Sequence, residues 1–210
     1  MKMLLTIMLS FCSLFASAQS PCNCTASTQE SHQDRTDAKH ATNYDDFALK
    51  EDTVDISYVS KWQRKYRTKT NTITKSANGA NSQRQPDTPE DSLYIFKGYM
   101  WFVKKEGNDC DFHIEIGNTN VYRTRFVVEV PEENSDLQQK IKQHLDGLGL
   151  KIMGCGTSNT KTAHFDHPLK CVVIGLGFYD ASHKPKTNHG DIHTMRYSWE
   201  LHPIKDIIFL

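Results

Sequence analysis

Residues 110–117 have the sequence CDFHIEIG, and this stretch decides the fold. Its apolar side chains, Phe112, Ile114 and Ile116, alternate with polar ones. The polar positions are Asp111, His113 and Glu115. Because successive side chains of a strand point to opposite faces, the pattern predicts a strand with one buried and one polar face.

Two apolar runs flank this strand and form a meander with it. Residues 93–105 make a long aromatic run in which Gly98 marks a bend or bulge, and residues 122–131 alternate like the first strand. Short turns rich in Gly and Asn separate the three runs. The sequence therefore predicts three consecutive antiparallel strands.

A helix and two more strands complete the pattern. Leu137, Ile141 and Leu145 recur at helical spacing after Ser135, a candidate N-cap. Residues 169–180 and 198–210 are again extended and apolar. Three strands, a helix and two strands is the order of an OB-fold. We therefore predict a mainly β (α+β) chain, a five-stranded OB-fold-like barrel with one helix between strands 3 and 4.

The remainder of the chain divides by composition. Residues 1–18 join one lysine, a short apolar run and an Ala-x-Ala site, which predicts a cleaved signal peptide. Residues 19–52 are polar and read as a disordered tail, and residues 53–91 as an extension and a loop. The barrel domain takes residues 92–210. No later run reaches the length of a membrane span, so we expect an exported protein, periplasmic or extracellular.

Export permits disulfides, and five cysteines remain after removal of the signal peptide. Pairing of Cys155 with Cys171 closes a short loop, and pairing of Cys110 with Cys155 is the alternative. An odd number of cysteines leaves at least one thiol free or bonded between molecules.

Charge gives little guidance to partners. The chain has 25 basic and 25 acidic residues, so bulk attraction to nucleic acid or an anionic membrane is absent. One local stretch differs, because basic residues alternate there with Trp62 and Tyr66, a pattern that suits nucleic acid or another polyanion. Its basic members are Lys61, Arg64, Lys65, Arg67, Lys69 and Lys75.

Candidate site residues lie at three strand positions. Carboxylates bind hard cations such as calcium, and a nearby imidazole favours zinc. The candidate ligands of a divalent metal are Asp109, Asp111, His113, His183 and His202. A solvated strand face explains the acidic row equally, and an exposed loop explains His183, His189 and His193. His202 lies inside a strand, where bonding to a backbone carbonyl, Asp180 or Asp111 gives it a structural role. The alternative is a His–Asp pair that acts as a general base.

These residues carry two resemblances. The chain resembles a group of exported bacterial OB-like proteins with D-x-D-x-H, F-x-D-x-x-H and E-L-H-P strand motifs. The matching residues are Asp109, Asp111, His113, Phe178, Asp180, His183, Glu200, Leu201, His202 and Pro203. This resemblance covers residues 92–210 and implies an OB-like barrel without an assigned activity.

A second, weaker similarity is to the thermonuclease family, whose exported OB-fold enzymes bind calcium through an Asp-Gly-Asp-Thr motif. Residues 109–112 look similar, as do Arg125 and residues 128–132, while the family's second arginine has no counterpart here. The similarity implies Arg125 and Glu132 as catalytic residues, with Arg125 on phosphate. Asp109, Asp111, Glu129 or Glu132 would then be the metal ligands.

Three functions follow as hypotheses. The first is an exported OB-fold-like binding or accessory domain whose ligand is unassigned. The second is a metal-dependent phosphodiesterase or nuclease. The third is metal binding through the His-rich loop, residues 181–196, which contains His183, His189 and His193.

Overall fold

A computed structural model describes most of the chain beyond the polar tail. The described residues are 43–66, 84, 86–107, 109–121, 125–154, 164–180 and 198–210. His183 and the rest of the His-rich loop lie outside them. Cys155 and three basic residues of the Lys61–Lys75 stretch, namely Arg67, Lys69 and Lys75, also lie outside them.

Five strands close into a barrel, which confirms the predicted fold class. The strands are β2 Ser92–Lys105, β3 Phe112–Gly117, β4 Arg125–Val130, β5 Leu169–Tyr179 and β6 Trp199–Phe209. Their order is β2-β3-β4-β6-β5, and pairing of β5 with β2 closes the sheet. All neighbours are antiparallel except β4 and β6, which run parallel.

β2 spans the barrel because it pairs with three other strands. Its first half pairs with β5, and its second half pairs with β3. The ladder to β3 shifts register between Met100 and Phe102, two residues past Gly98. A Cβ atom on Gly98 would lie 2.4 Å from the carbonyl oxygen of Gly117, so only glycine fits where these strands approach.

The barrel core consists of one face of every strand. Ile114, Val128 and Leu201 are fully buried within it, and their strand neighbours face the other way. Helix α2, Ser135–Gly147, follows β4 and contributes Leu137, Ile141 and Leu145 to the core. Its N-cap is Asn134, one residue before the predicted Ser135.

A strand and a helix precede the barrel. β1, Ala48–Val54, runs parallel to the start of β2. It begins inside the segment predicted as a disordered tail, so the tail boundary at residue 52 needs correction. Helix α1, Ile56–Lys65, has Asp55 as its N-cap, and the Asp55 carboxylate accepts a hydrogen bond from the Tyr58 amide at 3.1 Å.

Cys171 is buried on β5 and its thiol is free. The predicted pairing of Cys155 with Cys171 is therefore wrong. Pairing of Cys110 with Cys155 stays a prediction.

Candidate metal centre

The polar side chains of β3 and β4 form one face on the outside of the barrel. Each alternates with a core residue of its strand, as the sequence predicts. They are nevertheless mostly buried, so this is not a solvated strand face. We call it the outer polar face; with Asp111 before β3 and two residues of β6, it consists of Asp111, His113, Glu115, Arg125, Glu129, Glu200 and His202.

His202 is the centre of this face. Its Nδ1 lies 2.8 Å from Glu129 Oε2 and 3.2 Å from Glu200 Oε1. Its Nε2 lies 3.4 Å from Asp111 Oδ2. The imidazole is fully buried, so all three carboxyl groups meet it away from bulk water. The contact with Asp111 is one of the structural pairings that the sequence predicts for His202.

Sheet topology brings these groups together. Val128 of β4 pairs with Leu201 of β6, and both face the core. Their neighbours Glu129 and His202 therefore face outward, side by side. Residues 129 and 202 are far apart in sequence, and only the parallel pairing of β4 with β6 makes them neighbours.

Asp111 is held by its own turn and by the end of β4. Cys110 has a positive φ of 65°, a conformation that reverses the chain just before Asp111. The Asp111 Oδ1 atom accepts a hydrogen bond from the Glu132 amide at 3.1 Å. Burial raises the pKa of the Asp111 carboxyl, and the hydrogen bond from His202 offsets only part of that increase.

Glu129 lies between two histidines. His113 and Glu129 are directly opposite in the β3–β4 ladder, and His113 Nδ1 lies 3.0 Å from Glu129 Oε1. The other carboxylate oxygen faces His202. Burial would raise the pKa of Glu129, but the His202 and His113 imidazoles outweigh it and hold that pKa well below its usual range.

The pKa values of His113 and His202 shift upward, opposite to that of Glu129. Burial lowers the pKa of each imidazole, yet the neighbouring carboxylates reverse this, so the pKa of His113 is raised and that of His202 is raised well above its usual value. Glu200 differs, because burial and then the Glu129 charge raise its pKa to about 7. The neighbouring carboxylates thus favour the protonated form of both imidazoles.

Three of these side chains could hold a metal ion. One donor atom each from Asp111, Glu129 and His202 lies within 4.8 Å of the other two. Two carboxylate oxygens and one imidazole nitrogen suit zinc or a similar transition metal. Calcium needs six to eight oxygen ligands, and three buried donors of which one is nitrogen supply too few.

A second ionic group lies further along the same face. Arg125 is fully buried, and its Nε atom lies 2.7 Å from Glu115 Oε2. His164 Nε2 is 3.4 Å from the same oxygen. Burial would raise the pKa of Glu115, but the His164 hydrogen bond and the Arg125 charge lower it overall. Arg125 is four strand positions from Glu129, or about 13 Å along the chain.

The predicted site residues thus have different positions. Asp111 and His202 meet at the centre of the face, and His113 contacts Glu129 rather than the other two. Asp109 accepts a hydrogen bond from the Asp111 amide at 3.3 Å. Glu132 is exposed and donates its backbone amide to the site. Arg125 contacts Glu115, and His183 lies outside the described residues.

Two important residues were not among the predicted metal ligands of the barrel. Glu129 entered only through the nuclease similarity, and Glu200 only through the E-L-H-P motif. Strand alternation puts Glu200 on the same side as His202. The register that joins Glu129 to His113 and His202 is a property of the whole sheet, and no local pattern reports it.

The fold and the site define an OB-like barrel with a buried carboxylate–imidazole cluster on its outer face. No family model, curated protein or solved structure matches the chain. Among the described residues, no helix has the length and apolar character needed to cross a membrane.

Proposed function

We propose that this chain is an exported OB-fold-like binding domain that holds a divalent transition metal at Asp111, Glu129 and His202. One observation carries the proposal, namely that donor atoms of these three buried residues lie within 4.8 Å of one another. Zinc is the ion that this donor set fits best.

Charge balance supports a metal at this position. Two buried carboxylates attract positive charge strongly, and in the metal-free protein the imidazolium of His202 supplies it. A divalent ion would supply positive charge in place of that proton, while His202 binds the ion as a neutral imidazole. Metal binding and proton release are therefore coupled at this site.

The position of the site supports a binding role. OB-fold domains bind their ligands on the face of the second and third barrel strands, which here are β3 and β4. Asp111 precedes β3 and Glu129 lies on β4. Export is inferred from residues 1–18 and stays a proposal, as does polyanion binding through the exposed Lys61, Arg64 and Lys65 of α1.

A phosphodiesterase is less well supported. Arg125 is buried against Glu115 and lies about 13 Å along β4 from Glu129, so it is poorly placed to bind a phosphate on the same metal. Nicking of plasmid DNA by wild-type protein, but not by Asp111→Ala, would favour this alternative.

The direct test is zinc binding by the purified chain. Wild type should bind one equivalent of ZnCl₂ with a dissociation constant of about 1 µM or tighter in calorimetry, and bind CaCl₂ far more weakly. Asp111→Asn and Glu129→Gln should each weaken zinc binding by at least about 100-fold, since each removes an anionic ligand.

Matched controls come from the same elements. Glu132→Gln makes the same chemical change as Glu129→Gln at a nearby exposed position and should leave zinc affinity within about twofold, since its carboxylate does not belong to the proposed set. A variant with His183, His189 and His193 replaced by Gln should also bind zinc normally. Loss of binding in that variant would favour the His-rich loop, and absence of zinc binding by wild type would refute the proposal.

A further inference from the structure

The ladder between β5 and β6 is irregular at His202. Gly177 pairs with Leu201 and Gly175 pairs with Ile204, so β6 contains one more residue than β5 over this interval. His202 and Pro203 of β6 thus lie opposite the single residue Leu176 of β5. Pro203 has no amide hydrogen to donate to the ladder. A bulge of this kind turns a strand and redirects its side chains.

Arg84 donates hydrogen bonds at this interruption. Its guanidinium donates to the carbonyl oxygens of Gly177 at 2.6 Å and His202 at 2.5 Å. A third, longer hydrogen bond of 3.3 Å joins it to the Glu90 carbonyl. Arg84 therefore links β5, β6 and the turn before β2, although it lies outside the barrel strands itself.

We propose that Arg84 is a positioning residue for His202. By holding the His202 carbonyl beside that of Gly177, its guanidinium fixes the bulge and with it the direction of the imidazole. The metal-binding consequence rests on the proposed function. The orientation of His202 itself does not, because Arg84 contacts backbone carbonyl oxygens and none of the proposed metal-binding atoms.

The geometry requires a guanidinium. Arginine carries five N–H donors in a rigid planar fork, and here two nitrogens of that fork bind carbonyls on two different strands. Lysine has one nitrogen on a flexible stem, so it cannot hold both carbonyls in the same way. Arg84→Lys keeps the positive charge and tests only the loss of the two separate guanidinium donors.

The experiment uses two readouts on the full chain. In metal-free protein, the imidazole ¹H–¹⁵N signals of His202 should shift in Arg84→Lys and Arg84→Ala. Zinc affinity measured by calorimetry should fall about 10- to 100-fold in both variants, the loss typical of disturbing the support of a metal ligand. Methylguanidinium added to Arg84→Ala should restore part of the wild-type His202 signal and of the zinc affinity.

Arg64→Lys is the matched control, because Arg64 is exposed on α1 and contacts Ser60 there. It should leave both readouts unchanged. If Arg84→Lys leaves the His202 signals and zinc affinity at wild-type values, the inference is refuted. If wild type binds no zinc, the proposed function fails, and the His202 signals of metal-free Arg84→Lys still decide the role of Arg84.

Discussion

At the scale of single residues, the outer polar face is stable only because its charges are paired. Arg125 is fully buried, and the Glu115 carboxylate 2.7 Å away is an anionic partner close to it. A buried ion pair costs desolvation of both charges, so the complete pair contributes little net stability. Removal of one partner is different, because it leaves the other charge buried and uncompensated.

Glu115→Gln should therefore destabilise the protein by about 3–5 kcal/mol at pH 7, measured by urea unfolding. The pKa of Glu115 is lowered in the folded state, so its contribution is complete above the unfolded-state pKa of about 4.3 and is lost as the pH falls. The difference in unfolding free energy between wild type and Glu115→Gln should accordingly shrink between pH 7 and pH 3.

The control is Glu132→Gln, which makes the same change at an exposed position and should stay within about 0.5 kcal/mol of wild type at either pH. If Glu115→Gln lowers the unfolding free energy as much at pH 3 as at pH 7, the assigned direction of the Glu115 pKa shift is contradicted.

At the scale of elements, the barrel strands are predictable and β1 is not. The barrel strands carry long apolar or alternating runs whose period reports an extended chain directly. β1 has the sequence ALKEDTV, with only three apolar residues, and it forms because the edge of β2 offers backbone partners. Backbone pairing of this kind leaves little trace in side-chain patterning.

Helix α1 is attached to the barrel by an aromatic cluster. The Trp62 ring centroid lies 4.6 Å from that of Tyr94 and 6.0 Å from that of Trp199. Trp62→Ala should cost about 3–5 kcal/mol in urea unfolding, because it removes a large buried side chain. Lys61→Ala, the exposed neighbour on the same helix, should cost little. A small effect of Trp62→Ala would show that α1 contributes little to the stability of the barrel.

Backbone contacts near the β2–β3 turn bring Met153 close to Cys110. Met153 forms a β-bridge with Lys104 at the end of β2, and the Glu106 amide donates a hydrogen bond to the Asp111 carbonyl. Met153 precedes Cys155 by two residues, so this placement favours pairing of Cys155 with Cys110. We expect a Cys110–Cys155 bond in the oxidised protein, seen as a linked peptide in non-reducing mass spectrometry.

Burial raises the pKa of Cys171 to about 12, so its thiol should resist iodoacetamide at pH 8 until urea is added. A Cys171-linked peptide would contradict this assignment.

At the scale of the whole molecule, local sequence reports which residues face outward and tertiary pairing decides which of them meet. Alternation alone puts Asp111, His113 and Glu115 on one face of β3, and it puts Glu200 and His202 on one face of β6. The contact of Glu129 with both histidines requires the β3–β4 register and the parallel β4–β6 pair together. Arg84 adds a third requirement, because it contacts β5 and β6 although it precedes all barrel strands in the sequence.

The same reasoning predicts that the barrel strands do not fold alone. Residues 43–66 contribute four buried side chains to the core, namely Val54, Ile56, Val59 and Trp62. Each buried side chain of this size is worth about 1.5–3 kcal/mol, and the sum approaches the total stability of an ordinary domain, about 5–15 kcal/mol. A chain of residues 92–210 should therefore lack a cooperative thermal transition in circular dichroism, whereas residues 43–210 should unfold cooperatively. Dispersed amide NMR signals from residues 92–210, with a melting temperature close to that of the longer chain, would show that β1, α1 and Arg84 are accessories to a self-sufficient barrel.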